Sequence, residues 1–137
     1  MTDAEVLVVP ADVQAAMVAH ARAEAPLEAC GLLGGQGRRA ERFYPTRNAA
    51  GSPVRYEVEP ADLLAVTMAL ESAGGELWGV FHSHPQTEAY PSQTDLRLAL
   101  YPEAVYLICS LADPQRPVLR AFRLEGTQVR ECVLSTG

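Results

Sequence analysis

The sequence predicts an α/β (α+β) fold in which helices pack on a mixed β-sheet. Short apolar runs that read as strands alternate with longer segments of helical periodicity as far as residue 111. The remaining residues read as a β-hairpin that follows the turn at Asp113-Pro114. With 137 residues, the chain suits one domain over residues 1–137, which is large enough to bury a hydrophobic core.

The first part of the chain predicts four strands and one helix. Val13, Met17 and Val18 form part of the apolar face of this helix, and Pro26 ends it. The segment Gly34-Gly35-Gln36-Gly37 reads as a hairpin turn, since it lacks the Lys-Ser/Thr ending of a phosphate loop. The predicted strands are residues 5–9, 28–33, 38–44 and 55–59, and the predicted helix is residues 11–25.

The second part predicts two further helices and the remaining strands. Pro60 begins the first of these helices, which ends at Gly74-Gly75. The apolar run 77–81 reads as a buried strand that places His82 and His84 at its C-terminal end. The other predicted elements are a helix over residues 92–101 and strands over residues 104–111, 118–124 and 127–134.

The charge distribution limits the classes of partner. The formal net charge is −6 and the basic residues are scattered, so nucleic acid is not expected as a partner. Arg38, Arg39 and Arg42 are an exception, because they lie close together in one predicted strand region. They either form part of a docking face for an acidic protein or lie on a solvated edge strand.

The compartment is predicted from the N-terminus, the hydropathy and the cysteines. The start Met1-Thr2-Asp3-Ala4-Glu5 is acidic and lacks the basic region and long apolar stretch of a secretory signal. No segment approaches the roughly 20 apolar residues of a membrane helix, so no membrane partner is expected. Cys30, Cys109 and Cys132 are odd in number and widely spaced, which argues against a disulfide framework or a Cys-x-x-Cys zinc cluster. These observations predict a cytoplasmic protein.

Two short motifs carry the main functional signal. His82-Ser83-His84-Pro85 is followed by Ser92-Gln93-Thr94-Asp95. In an extended segment the side chains at i and i+2 lie on the same side, so His82 and His84 can offer nitrogen atoms to a common point. Asp95 can supply a carboxylate oxygen, which gives the three protein ligands of a catalytic zinc site and leaves a fourth position free.

Each motif also has a purely structural interpretation. Ser92 followed by Asp95 at the third helical position is a plausible capping box, although Glu or Gln is usual at that position. A histidine pair alone occurs on ordinary protein surfaces. The combination with Glu28, which opens an apolar, glycine-containing segment, favours a metal site. Cys30 is interpreted as a small buried residue, and His20 as structural or solvent-facing.

The spacing of these residues resembles the signature of the JAMM/MPN (MPN+) zinc metalloprotease family, in its short stand-alone prokaryotic type. The match consists of Glu28, His82-Ser83-His84-Pro85, Ser92 and Asp95, and Pro26-Leu27-Glu28-Ala29-Cys30-Gly31-Leu32-Leu33 resembles the upstream element of that family. The resemblance runs from about Pro26 to Asp95. It implies a mixed curved β-sheet flanked by helices, in the MPN/JAMM (cytidine-deaminase-like) fold.

The resemblance also implies a role for each site residue. His82, His84 and Asp95 are expected to bind Zn²⁺, and Glu28 to act as general base on the metal-bound water. The same acid can then pass its proton to the departing amine. Ser92 is expected to stabilise the oxyanion, because a hydroxyl at a helix start lies beside free backbone N–H groups.

Three functional hypotheses follow from this reading. The first is a zinc peptidase that hydrolyses the amide bond after the C-terminal Gly-Gly of a small ubiquitin-like or sulfur-carrier protein, for example to release cysteine from a carrier adduct. The second is an isopeptidase that removes a ubiquitin-like modifier from lysines. The third is a non-catalytic scaffold of the same fold. The short chain, near the minimal domain size, favours a small carrier as partner.

The carrier tail is expected to bind along a strand edge. Residues 54–58 can add backbone hydrogen bonds to an extended Gly-Gly tail, so replacing Tyr56 or Val58 by proline is expected to weaken tail binding. Tyr90-Pro91 near the site and exposed edge strands permit a homodimer but do not argue for one.

Overall fold

A computed structural model describes residues 4–137 as seven strands and three helices. The acidic N-terminal segment discussed above lies partly outside the described residues, which exclude Met1–Asp3. The helices are α1 (Ala11–Glu24), α2 (Pro60–Ala73) and α3 (Gln93–Leu98). The strands are β1 (Val6–Val8), β2 (Cys30–Gln36), β3 (Arg39–Thr46), β4 (Glu76–His84), β5 (Val105–Ser110), β6 (Val118–Glu125) and β7 (Gln128–Ser135).

The seven strands form one closed barrel in the order β1-β3-β2-β4-β5-β6-β7. Strand β4 lies between β2, with which it is antiparallel, and β5, with which it is parallel. The short strand β1 closes the barrel by pairing in parallel with both β3 and β7. The predicted mixed α/β fold is confirmed, but the curved sheet closes on itself. The exposed edge strands expected from the sequence are therefore absent among residues 4–137.

The central strands are buried on both faces, and a long helix covers each face. On one face α1 contributes Val13 and Met17 to a cluster that contains Phe81 and Leu107. On the other face Val66 and Leu70 of α2 pack with Val80 and Ile108. Burial of this apolar surface on both sides makes β4 and β5 a rigid support for groups at their C-terminal ends.

Two predicted elements, β2 and α3, end at other residues than the sequence predicts. Strand β2 continues through the predicted turn to Gln36, with a register shift between Gly34 and Gly35, and Gly37 at φ 57° makes the turn. Helix α3 ends at Leu98 rather than at residue 101, because Ala99 already has extended backbone angles (φ −68°, ψ 113°). These shifts move no residue out of the predicted site.

The strand predicted over residues 55–59 was wrong. This segment makes one isolated bridge, between Val58 and Asn48. The Asn48 side chain donates from Nδ2 to Arg55 O and accepts at Oδ1 from Glu57 N, each at 3.0 Å. Because a side-chain amide satisfies these backbone groups, the segment has no need of a ladder with a neighbouring strand.

The cysteines and the helices bear on the compartment prediction. All three cysteines are buried free thiols. Among residues 4–137, none of the helices combines the length and apolar character needed to cross a membrane.

Candidate active site

The C-terminal end of β4 carries both histidines of the motif. His82 pairs with Cys30 of β2 and Ile108 of β5, and His84 is the last residue of the strand. Both side chains are buried. The strand alternation expected from the sequence therefore places the two imidazoles on the same face.

The third predicted ligand is brought to the histidines by a capping box. The Ser92 hydroxyl accepts a hydrogen bond from Asp95 N at 3.0 Å, and Asp95 Oδ2 accepts one from Ser92 N at 2.9 Å. The capping and ligand interpretations of this motif are therefore compatible. The cap fixes the Asp95 carboxylate at the start of α3, on the side that faces β4.

Three potential ligand atoms converge on one point. His82 Nε2 lies 3.1 Å from His84 Nε2 and 3.1 Å from Asp95 Oδ2, and His84 Nε2 lies 3.0 Å from the same oxygen. Ligand atoms around a tetrahedral zinc ion with bonds of about 2.05 Å lie about 3.3 Å apart. The side chains thus fit a zinc ion after a small outward movement. Within residues 4–137 they form the single cluster of three His, Cys, Asp or Glu residues with metal-binding geometry.

The electrostatics of His82 and Asp95 favour the forms that bind a cation, whereas those of His84 favour its protonated form. Burial lowers the pKa of His82 and outweighs the opposing effect of Asp95. Burial also acts to raise the pKa of Asp95, but hydrogen bonds from His82 and His84 overcome it and hold that pKa well below its usual range. Burial acts to lower the pKa of His84, but hydrogen bonds to Asp95 and Glu88 outweigh this effect and raise that pKa. A neutral imidazole and an ionised carboxylate are the ligand forms that metal binding requires.

Glu28 lies just before β2, and its side chain is buried at 3% exposure. Its Oε1 atom has no hydrogen-bond partner among residues 4–137. Burial raises the pKa of Glu28 to about 8, while His84 lowers it and Asp95 raises it through their charges. The structure therefore places a buried carboxyl group with a free acceptor oxygen in the electrostatic field of the cluster.

The backbone around Glu28 is fixed by residues that the sequence analysis did not single out. Glu28 N donates to Ser52 O at 2.9 Å, and Asn48 Nδ2 donates to Glu28 O at 3.0 Å. The next residue, Ala29, donates its N–H to the Ser83 hydroxyl at 2.7 Å. Ser83 lies between the two histidines in sequence. Because successive side chains of a strand point to opposite faces, the Ser83 side chain points away from the histidine face and can make this contact.

Two other residues of this region have structural roles. Cys30 is fully buried, and burial raises the pKa of its thiol to about 11, so the thiol stays protonated at neutral pH. His20 Nε2 lies 2.9 Å from Cys30 O and 3.2 Å from Thr46 O. Because both partners are acceptors, Nε2 carries a hydrogen and His20 ties α1 to the paired ends of β2 and β3.

An apolar cavity of about 420 Å³ adjoins the site through Tyr56, whose ring stacks on that of His82. It lies between the 55–60 segment, helix α2 and the residues after α3. Its lining contains Arg55, Tyr56, Glu57, Val58, Pro60, Leu63, Val80, Leu98, Leu100, Tyr101 and Tyr106. The sequence analysis named residues 54–58 as a binding edge but gave no signal for the wall formed by Leu98, Leu100 and Tyr101.

Comparison with known proteins places this chain in a family. The model of the prokaryotic homologs of the JAB domain (Prok-JAB) matches residues 10–125. The CysO-cysteine peptidase of Mycobacterium tuberculosis is 45% identical over 128 residues, covering 92% of this chain and 88% of the relative. A desampylase of Haloferax volcanii is 40% identical over 107 residues, covering 73% and 77%. The solution structure of a protein from Desulfitobacterium hafniense is 40% identical with a TM-score of 0.86, covering 94% of this chain and 91% of that one.

Proposed function

Because the chain belongs to the family of prokaryotic homologs of the JAB domain, we propose that it is a zinc metallopeptidase acting on a carrier protein. Its substrate is a small ubiquitin-like or sulfur-carrier protein, and the enzyme hydrolyses the amide bond after the C-terminal Gly-Gly of that protein. The relative named CysO-cysteine peptidase supports a cysteine adduct as substrate.

The observation that carries this proposal is the convergence of three ligand atoms beside a buried carboxyl group. His82, His84 and Asp95 would hold Zn²⁺ through the atoms that lie 3.0–3.1 Å from one another. When bound, zinc supplies Lewis-acid chemistry and makes water acidic near neutral pH. The short chain connection between His82 and His84 fixes two of the three ligands on one rigid strand.

Glu28 is the general base in this proposal. Its Oε1 atom accepts the proton of the attacking water, since no hydrogen bond within residues 4–137 occupies that oxygen. Burial favours the protonated form of this carboxyl group, so it can hold the proton before it is returned to the departing amine nitrogen. A bound cation nearby would favour the ionised form that accepts the proton in the first place. During this proton transfer the backbone of Glu28 is held by two hydrogen bonds, one from the Asn48 side chain and one to Ser52 O.

Ser92 supplies a hydrogen-bond donor for the oxyanion. Its oxygen accepts the Asp95 N–H, so its own hydrogen is free to be donated to another group. A donor held by a helix cap needs little reorganisation when negative charge develops on the substrate oxygen. Cap and oxyanion donor are thus two functions of one hydroxyl group.

The extended tail of the carrier binds at the apolar cavity, along residues 54–58. Within residues 4–137 the backbone bonds of residues 55–59 involve Arg55, Glu57 and Glu59, so the backbone groups of Tyr56 and Val58 remain available to an added strand. Replacing Val58 by proline is expected to raise KM for the carrier substrate while leaving zinc content unchanged. A KM equal to that of the wild type would remove this segment from the tail site.

We also propose a cytoplasmic location. The three buried free thiols support it, because a reducing compartment keeps cysteines in this form.

Intact-mass spectrometry tests the proposed reaction directly. A small carrier protein that ends in Gly-Gly and is extended by one cysteine is incubated with the wild type or with Glu28→Gln. Loss of one cysteine residue with the wild type only supports both the reaction and the substrate class. No loss, with zinc confirmed in the protein, would contradict the cysteine adduct as substrate.

A lysine-linked conjugate tested in parallel distinguishes the second candidate, an isopeptidase, which the desampylase relative supports. The chemistry is the same, so the substrates separate the two. A protein that binds zinc and cleaves neither substrate would instead favour the scaffold interpretation.

A further inference from the structure

The two histidines of the metal cluster are oriented by different groups. His84 Nδ1 lies 2.7 Å from Glu88 O, an acceptor that fixes the ring and leaves Nε2 for the metal. Zinc-binding histidines usually have such a partner on the second ring nitrogen. His82 has none among residues 4–137, since its buried Nδ1 atom makes no hydrogen bond there. Another contact must therefore hold the His82 ring.

Tyr56 provides that contact. Its ring stacks on the His82 imidazole with a centroid separation of 4.5 Å and an interplanar angle of 20°. A flat neighbour at this distance restricts rotation of the imidazole, because a turned ring would collide with it. We propose that Tyr56 is a positioning residue that keeps His82 Nε2 directed at the metal, in the place of the usual hydrogen bond.

The position of the Tyr56 ring is itself well determined. The neighbouring residues Arg55 and Glu57 are both bonded to the amide of Asn48, which donates to the first and accepts from the second at 3.0 Å. The same Nδ2 atom donates to Glu28 O at 3.0 Å. Asn48 thus connects the segment that orients a metal ligand with the backbone of the base, and it holds both against the end of β3.

Zinc binding without any substrate tests this role. The dissociation constant for zinc is measured by competition with a chromogenic chelator for the wild type, Tyr56→Leu and Tyr56→Phe. Loss of the ring in Tyr56→Leu is expected to weaken zinc binding by about tenfold, the lower end of the effect of removing a supporting contact. Tyr56→Phe keeps the ring and is expected to bind zinc as the wild type does.

The absorption spectrum of the Co²⁺-substituted protein gives a second readout, because it reports ligand geometry. It is expected to change in Tyr56→Leu and to stay unchanged in Tyr56→Phe. Tyr44→Leu is the matched control, since Tyr44 is also half-buried and packs on the same apolar cluster. That variant is expected to keep both the zinc affinity and the cobalt spectrum.

Tyr56→Met serves where Tyr56→Leu does not fold, because methionine fills an irregular space without stacking as a flat ring. Wild-type zinc affinity and cobalt spectrum in the folded ring-deletion variant would overturn the proposal. An equal loss of zinc in Tyr44→Leu would also overturn it, because the effect would then be general to the apolar cluster. No carrier protein is used, so either result leaves the proposed reaction untouched.

Discussion

Replacing Ser92 by alanine separates the two roles of its hydroxyl group. The change removes the hydroxyl oxygen that accepts a hydrogen bond from Asp95 N. It leaves the reciprocal bond to Asp95 Oδ2, because the donor of that bond is the backbone N–H of residue 92. Loss of a serine N-cap costs about 1 kcal/mol of stability. Loss of one oxyanion donor lowers kcat by roughly 100- to 1,000-fold, or about 2.7–4 kcal/mol in the transition state.

The two costs are measured in separate assays. Denaturant unfolding gives the change in stability, and initial rates on the cysteine-extended carrier at saturating zinc give kcat. Ser92→Thr is the control, because threonine keeps a hydroxyl group that can both cap and donate. Zinc content is measured for each variant, so that a displaced Asp95 is distinguished from a lost donor. A stability loss of the expected size with unchanged kcat would refute the oxyanion role and leave the cap alone.

Three further predictions concern the base, the ligands and the packing behind them. Glu28→Gln is expected to keep zinc and the free energy of unfolding while activity falls by several orders of magnitude, and loss of zinc from this variant would make Glu28 a ligand. His84→Ala is expected to lose zinc, measured by metal analysis after dialysis; retention at full stoichiometry would contradict its assignment. Gly31→Ala is expected to cost about 1–3 kcal/mol in denaturant unfolding, because a Cβ there would lie 2.7 Å from Phe43 Cζ and 2.8 Å from Tyr44 O. Wild-type stability of this variant would contradict the close packing of β3 on Gly31.

The sequence predicted the convergence of His82, His84 and Asp95 because these residues are local in the chain. The i and i+2 spacing of His82 and His84 requires only that the segment be extended, and the flanking apolar run made it a strand. Ser92 and Asp95 are three residues apart, which a helix start brings together without help from the rest of the fold. Glu28 is distant in sequence and was assigned through the family resemblance.

The groups that orient these residues were not predicted, because their contacts depend on tertiary structure. Tyr56 stacks on His82 from a segment outside the barrel strands, and one asparagine side chain bonds to the backbone of that segment. Nothing in the residues around Asn48 signals that its amide would satisfy four backbone groups, in residues 28, 50, 55 and 57. Closure of the barrel by β1 likewise depends on pairing between the two ends of the chain.

The capping box has aspartate at a position where glutamate is usual, because one oxygen of Asp95 contacts both the helix cap and the two histidines. Asp95 Oδ2 accepts the Ser92 N–H at 2.9 Å and also lies within 3.1 Å of both histidine Nε2 atoms. A glutamate is longer by one methylene group, so a carboxylate that still reached the Ser92 N–H would have to fold back on the helix. The shorter side chain holds the carboxylate at the junction of α3 and β4 with few rotamers. We therefore attribute the departure from the usual capping sequence to the proposed metal site, because the helix cap and the proposed ligand set share this oxygen.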